Sequence, residues 1–404
     1  MRVTIDIPQE YAVQETTQTS SPWLAITRRP LTGLAIALAC TLACLGLGLF
    51  HGVSIISLTG MVLGAWLAAE NGGNDVSKAI APLVASGAVG AIGALAYGTA
   101  MTAIGSVASL ALAAKVLTLF TAGFIAPEHS ITGGVMLAIA TGATLWVALA
   151  TRLALPVSTT HAIIGAIVVV SSLAFGTHGV IWATLTSKVV TPLLLSPVLG
   201  GIVAWMMIMV LQCVHIPQAS NRVLTWLFGG AIAFVRAVND TPKIVAVAFF
   251  ALTLSAPMSD QGKMGLFLLM TAAMALGSFI KGFAVTQLLA HHVTTIDDAG
   301  SVASTVTTAA LVLAASHCGL PVSTTHVSSS AIVGTGLRKQ FKGHVCEACG
   351  TAVCLCTDAD ARPGYAVHWS VVRHIALSWL VTLPAAGAIG AAVYFIHLGL
   401  GHLL

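Results

Sequence analysis

The chain has 404 residues, of which 57% are hydrophobic and 7% charged, with a mean hydropathy of +0.95. A soluble domain carries roughly a quarter charged residues, so a soluble globular protein is excluded and a polytopic membrane protein remains. The net charge of +4 sits mainly in the ends and loops, so it says little about what the chain binds, and no nucleic-acid partner is expected.

Residues 1–30 form a polar tail that lacks the positive start and short apolar core of a cleavable signal. Arg28 and Arg29 stand directly before the first apolar run, which places this tail in the cytoplasm by the positive-inside rule. Residues 31–57, beginning LTGLAIALACTLACLGLGLF, read as an extra N-terminal span. Two repeat units are expected at 58–175 and 223–340, with connecting spans at 176–222 between them. A Cys-rich loop at 341–366 and a C-terminal span at 367–404, around LSWLVTLPAAGAIGAAVYF, complete the chain. Arg338, Lys339, Lys342, Arg362 and Arg373 put the segment around that loop on the same side as the tail. The runs are continuous rather than alternating, which excludes a membrane barrel and gives an all-α polytopic protein of about 12 membrane segments, broken ones counted.

The repeat boundaries come from identical motifs. Asn74-Asp75 recurs as Asn239-Asp240, PVSTTH at 156–161 recurs letter for letter at 321–326, and Lys78 recurs as Lys243, all with an offset of 165 residues. Motifs sharing one offset mark an internal duplication. In a helical membrane protein this is the signature of a secondary transporter, with its substrate near the midplane between the repeats. Four breaks in helices are expected to meet there. Gly72 and Gly73 would interrupt a span before Asn74-Asp75, with a counterpart at Asn239-Asp240, while Pro156 and Pro321 would open helices whose Ser and Thr hydroxyls cap the start. Helix N-termini freed in this way bind anions.

The pairing of NGGNDVSKAIAP (71–82) and AFVRAVNDTPKIVA with the duplicated PVSTTH resembles the PiT family of inorganic phosphate transporters over about residues 58–340. The resemblance implies two inverted repeats with broken helices and re-entrant segments, and phosphate transport with Na+ or H+. Carried over position by position, it implies that Asn74, Asp75, Ser158, Thr159, Thr160, Asn239, Asp240, Ser323, Thr324 and Thr325 form the phosphate and cation sites. No cofactor is required beyond the coupling ion.

Chemistry agrees with this assignment. Hydroxyls and backbone N–H groups on two opposed helix starts can surround a tetrahedral oxyanion without an arginine fork. Asp75 and Asp240 can accept the proton that phosphate still carries and sulfate lacks, or can hold the driving cation. Two features depart from the family pattern as it usually stands. The motifs read Gly-Gly-Asn-Asp and Ala-Val-Asn-Asp, and each half carries a lysine, Lys78 and Lys243, three residues beyond its aspartate. At that spacing a lysine reaches its aspartate, which weakens multiple Na+ sites and favours direct anion binding or proton coupling. An internal Asp-Lys pair that only makes a polar helix fit the membrane is the competing reading.

Glu70, absent from the second half where Val235 stands, is either a second coupling site or a helix end at the water surface. His161 and His326 are expected to cap or pack behind the site, with a proton-carrier role as the alternative. Lys281 and Arg236 either snorkel to an interface or line the path, and Asp297 and Asp298 suit a loop or helix start. Cys346, Cys349, Cys354 and Cys356 form a C-x2-C-x4-C-x-C cluster that either binds Zn2+ or is simply a thiol-rich loop. The rival functions are a sulfate or other oxyanion permease of the same architecture and a passive anion channel. An intramembrane hydrolase on Ser158 and His161 fares worst, because no third residue orients the histidine. The expected setting is a bacterial inner membrane, with pairing into a homodimer left open.

Overall fold

In lipid each backbone N–H and C=O must be bonded within its own segment, so unbroken apolar runs become helices. The computed structural model describes residues 29, 31–85, 87–213, 218–253, 259–291, 298–341, 367 and 369–401. Among these the one β feature is an isolated bridge between Ile125 and Val180. In chain order the helices are α1 (Thr32–Gly46), α2 (Ile55–Ala85), α3 (Ala91–Leu112), α4 (Ala114–Ala122), α5 (Gly133–Arg152) and α6 (Thr159–Phe175). A short α7 (Trp182–Leu185) runs through a π-turn (Thr186–Val190) into α8 (Thr191–Cys213). Next come α9 (Gln218–Thr253), α10 (Asp260–Lys281), α11 (Phe283–His291), α12 (Asp298–His317), α13 (Thr324–Phe341) and α14 (Trp369–Gly401).

Seven of these stretches are long and apolar enough to cross a membrane: α3, α5, α10, Trp182–Leu211, Val223–Phe250, Ala299–His317 and Val372–Gly399. The large apolar side chains left uncovered point the same way. Leu194, Leu195, Val198 and Ile202 on α8 and Leu377, Leu380, Phe395 and Ile396 on α14 are exposed, a surface that suits lipid and would be costly in water.

The duplication is visible in the order of elements. Helices α2 to α6 recur as α9 to α13, and the bounds of α5 and the first residue of α6 shift by the 165-residue offset onto α12 and α13. Packing follows the same rule: α2 lies against α10 and α9 against α3, α2 against α5 and α9 against α12. The pair α5–α6 is braced by α14, and the pair α12–α13 by α8. At the centre run the two Asn-Asp helices, with residues 67–83 of α2 and 235–248 of α9 buried throughout. The polar motifs therefore lie in the deepest part of the protein.

Two expectations about breaks are corrected. Helix α2 continues unbroken through Gly72, Gly73 and Pro82, and α9 through Asn239-Asp240 and Pro242. The glycines serve close approach rather than interruption: a Cβ on Gly72 would lie 2.1 Å from the Met274 carbonyl oxygen of α10, and one on Gly73 would lie 2.6 Å from Lys281 Cβ. Pro82 removes the hydrogen bond that the Lys78 carbonyl would accept four residues back, and the Ser328 hydroxyl donates to that oxygen instead at 3.1 Å. Gly72→Val is accordingly expected to force α2 and α10 apart and cost about 1–3 kcal/mol. A lower thermal unfolding midpoint of the purified protein is the check, and an unchanged midpoint would sink this packing account.

The second correction concerns the prolines. The chain does break before α6 and α13, but Pro156 and Pro321 lie two residues ahead of the capping serines rather than in the first turn. Ser158 and Ser323 each accept from the N–H of the histidine three residues on, both at 3.3 Å, the usual N-cap geometry.

Candidate functional site

The breaks before α6 and α13 face the middle of α2 and α9, and the Asn, Asp, Lys, Ser and Thr residues of the motifs that meet there are at most 3% exposed. Asn71 is its hub. Its amide donates to Thr159 Oγ1 at 2.9 Å, to Asp75 Oδ2 at 3.2 Å and, more weakly, to Asp240 Oδ2 at 3.4 Å. Thr324 of the other half donates to Asp75 Oδ2 at 3.4 Å. Both carboxylates and the first residues of both broken-start helices thus meet around one side chain.

Each carboxylate also carries its own lysine. Lys78 and Asp75 form an ion pair with both side chains buried, and Lys243 Nζ lies 3.0 Å from Asp240 Oδ1. The ammonium groups reach further. Lys78 donates to the Val157 carbonyl at 3.0 Å and Lys243 to the Val322 carbonyl at 3.2 Å, residues separated by the same offset. Lys78 also reaches Asn74 Oδ1 at 3.2 Å, and Lys243 reaches Thr160 Oγ1 of the opposite half at 2.8 Å. Thr325 answers from its own side by donating to the Val157 carbonyl at 2.8 Å.

Asn74 and Asn239 hold the broken segments in place. Asn74 donates to the Leu155 carbonyl at 2.7 Å and accepts from the Val157 N–H at 3.2 Å; Asn239 donates to the Val322 carbonyl at 3.0 Å and accepts from Ser316 at 3.2 Å. These contacts satisfy backbone groups that a non-helical segment would otherwise leave unpaired inside a membrane.

Three charged residues outside the motifs are buried as well. Arg236 is 1% exposed, and its Nη1 donates to Asn71 Oδ1 at 3.3 Å while Nη2 donates to Thr102 Oγ1 at 2.6 Å; its Nε has no partner. Glu70 is not at a water-facing helix end: it is buried and paired with Lys281 at 2.5 Å, with the Trp66 indole donating to the same oxygen at 3.0 Å. Lys281 and Arg236 are thereby both internal and neither snorkels. His161 and His326 pack together with ring centres 4.7 Å apart, and His326 lies tilted against Trp379 with ring centres 4.0 Å apart.

No repeated motif marks Asn71, and the sequence leaves Arg236 between an interface and the path, yet one signal joins the two. Positions 71 and 236 are separated by 165 residues, so each is the other's counterpart in the duplication, and they touch. The buried charged side chains among the described residues are Glu70, Asp75 and Asp240 against Lys78, Arg236, Lys243 and Lys281. In their ordinary charge states they leave one positive charge in excess, and Arg236 is the cation that has no carboxylate in an ion pair. Cys346, Cys349, Cys354 and Cys356 lie outside the described residues; among those described, no group of three or more His, Cys, Asp or Glu is placed to hold a metal.

A duplicated helical bundle with exposed apolar flanks and a sealed polar centre has the construction of a multi-pass membrane transport protein. The chain belongs to the Phosphate transporter family, whose profile matches residues 71–228 and 215–390. It is 29% identical over 336 residues to a Mycobacterium leprae protein named "Probable low-affinity inorganic phosphate transporter", covering 81% of this chain and 74% of that one. A Rhizobium meliloti protein of the same name is 24% identical over 273 residues, covering 66% and 75%. Among solved structures, one titled "The sodium-dependent phosphate transporter" superposes with a TM-score of 0.70 at 21% identity, covering 85% of this chain and 99% of that one, which shows a shared fold.

Proposed function

We propose that this chain takes up inorganic phosphate by cation symport, driven by H+ or Na+, through alternating access of two inverted repeats at 58–175 and 223–340 in a bacterial inner membrane. The observation that carries the reading is the excess positive charge at Arg236, buried and bonded to Asn71, whose amide in turn donates to Thr159 at the start of α6. A buried unpaired guanidinium is costly, and an anion seated there would be its counter-charge. Across Asn71 and Asp75, the N-termini of α6 and α13 add partial positive charge.

In this reading Ser158, Thr159, Thr160, Ser323, Thr324 and Thr325 line the path of the anion, and Asp75 and Asp240 take the proton of phosphate. Asn74 and Asn239 shape the breaks. On that reading the solvent-closed cluster is an occluded stage, and rocking of one repeat against the other would open it to either side in turn. Labelled phosphate uptake into proteoliposomes, under an imposed Na+ or pH gradient, is the test. Saturable phosphate uptake that excess sulfate leaves unchanged is expected. Preferred uptake of sulfate would overturn the substrate, and non-saturable flux would overturn the carrier in favour of a channel.

A further inference from the structure

The ammonium groups of Lys78 and Lys243 sit in matching cages of oxygen. Around Lys78 Nζ are Asp75 Oδ1, Asn74 Oδ1 at 3.2 Å and the Val157 carbonyl at 3.0 Å. Around Lys243 Nζ are Asp240 Oδ1 at 3.0 Å, Thr160 Oγ1 at 2.8 Å and the Val322 carbonyl at 3.2 Å. Each cage holds one carboxylate oxygen, one neutral side-chain oxygen and one main-chain carbonyl from the residue just before a capping serine. An ammonium has three protons and no acceptor, so each lysine is saturated.

A pair that merely neutralised an aspartate within α2 or α9 would need no oxygen from another element. These lysines take theirs from the unwound segments before α6 and α13. Carboxylate, amide or hydroxyl, and carbonyl oxygens make the donor set that hard cations prefer, and unwound carbonyls at broken helices are where coupling cations bind in transporters of this construction. We infer that Lys78 and Lys243 are tethered cations that occupy the coupling-cation positions of the two halves, so that this chain works without Na+. A free cation entering either cage would sit against a fixed positive charge with all the cage oxygens already engaged.

This inference deepens the phosphate-uptake reading and rests on it for its transport readout, so it is tested by two measurements on the full-length protein. The first is phosphate uptake into proteoliposomes with NaCl or choline chloride outside, at fixed pH. Wild-type rates are expected to be equal in the two salts. In Lys78→Ala/Lys243→Ala, uptake is expected to fall in choline and to be restored by Na+ by at least about fivefold. The second is the thermal unfolding midpoint of the purified protein in the same two salts. Na+ leaves the wild-type midpoint unchanged and raises that of the double variant, because a ligand that binds only the folded state stabilises it.

Na+ stimulation of wild-type uptake, or a higher wild-type midpoint in Na+, would overturn the inference. So would a folded double variant indifferent to Na+ in both measurements. If the double variant fails to fold, each single variant, Lys78→Ala and Lys243→Ala, is put through the same two measurements with the same expectations. Absence of phosphate uptake in either salt, with a wild-type midpoint indifferent to Na+, would remove the substrate reading and leave the filled cation positions standing.

Discussion

Asp75→Asn is expected to abolish phosphate uptake, and Asp240→Asn to do the same, while both variants still insert in the membrane. Each substitution preserves shape and removes one charge from a point where a lysine, the Asn71 amide and, at Asp75, Thr324 converge. An ammonium is then left in an apolar interior without its partner, a loss of about 3–5 kcal/mol in comparable pairs. Stability and transport must therefore be separated. Asp75→Asn/Lys78→Met restores local neutrality, so its unfolding midpoint is expected to recover toward wild type while uptake stays absent. Recovery of uptake in that double variant would mean that the pair is only a device for fitting a polar helix into the membrane. Normal transport by both single variants would remove the carboxylates from the site altogether.

Arg236→Met is expected to raise the KM for phosphate by about ten- to a hundredfold. A hydrogen bond to a charged group contributes about 1.5–3 kcal/mol, and each 1.4 kcal/mol is about a factor of ten in affinity. Arg236→Lys keeps the charge but loses the fork that reaches Asn71 and Thr102 together, so an intermediate KM is expected. Concentration dependence of initial uptake rates measures both. A lowered unfolding midpoint with an unchanged KM would assign Arg236 to packing and withdraw it as the counter-charge.

The cluster was legible in outline because duplication writes itself into sequence. Asn74-Asp75, Asn239-Asp240, PVSTTH and the paired lysines all occupy the junction, and the spacing of Lys78 and Lys243 correctly brought each to its aspartate. Helix continuity at Gly72-Gly73 was not legible. The same two glycines can end a helix or let another approach it, and only the position of Met274 and Lys281 on α10 distinguishes these. Likewise Glu70 and Lys281 are 211 residues apart with no repeat to link them, so each looked solitary. Cys318 lies in an apolar run as Cys40 and Cys44 do, yet it is exposed while those two are buried. An apolar run fixes a helix, not which of its faces meets lipid.

The contact between Asn71 and Arg236 has a bearing on how such a protein could arise. Positions that are counterparts and also touch lie on the seam where one half meets the other, as each residue would meet its own copy in a pair of separate, identical half-length subunits. Arginine there would face arginine, two like charges within a few ångströms in a medium that screens them poorly. Asparagine facing asparagine would be tolerated, since the amide both donates and accepts. Joining the halves into one gene frees the two positions to differ, and a single guanidinium can then be installed on the seam. On this view the fused chain holds a charge that its symmetric ancestor had no means of keeping.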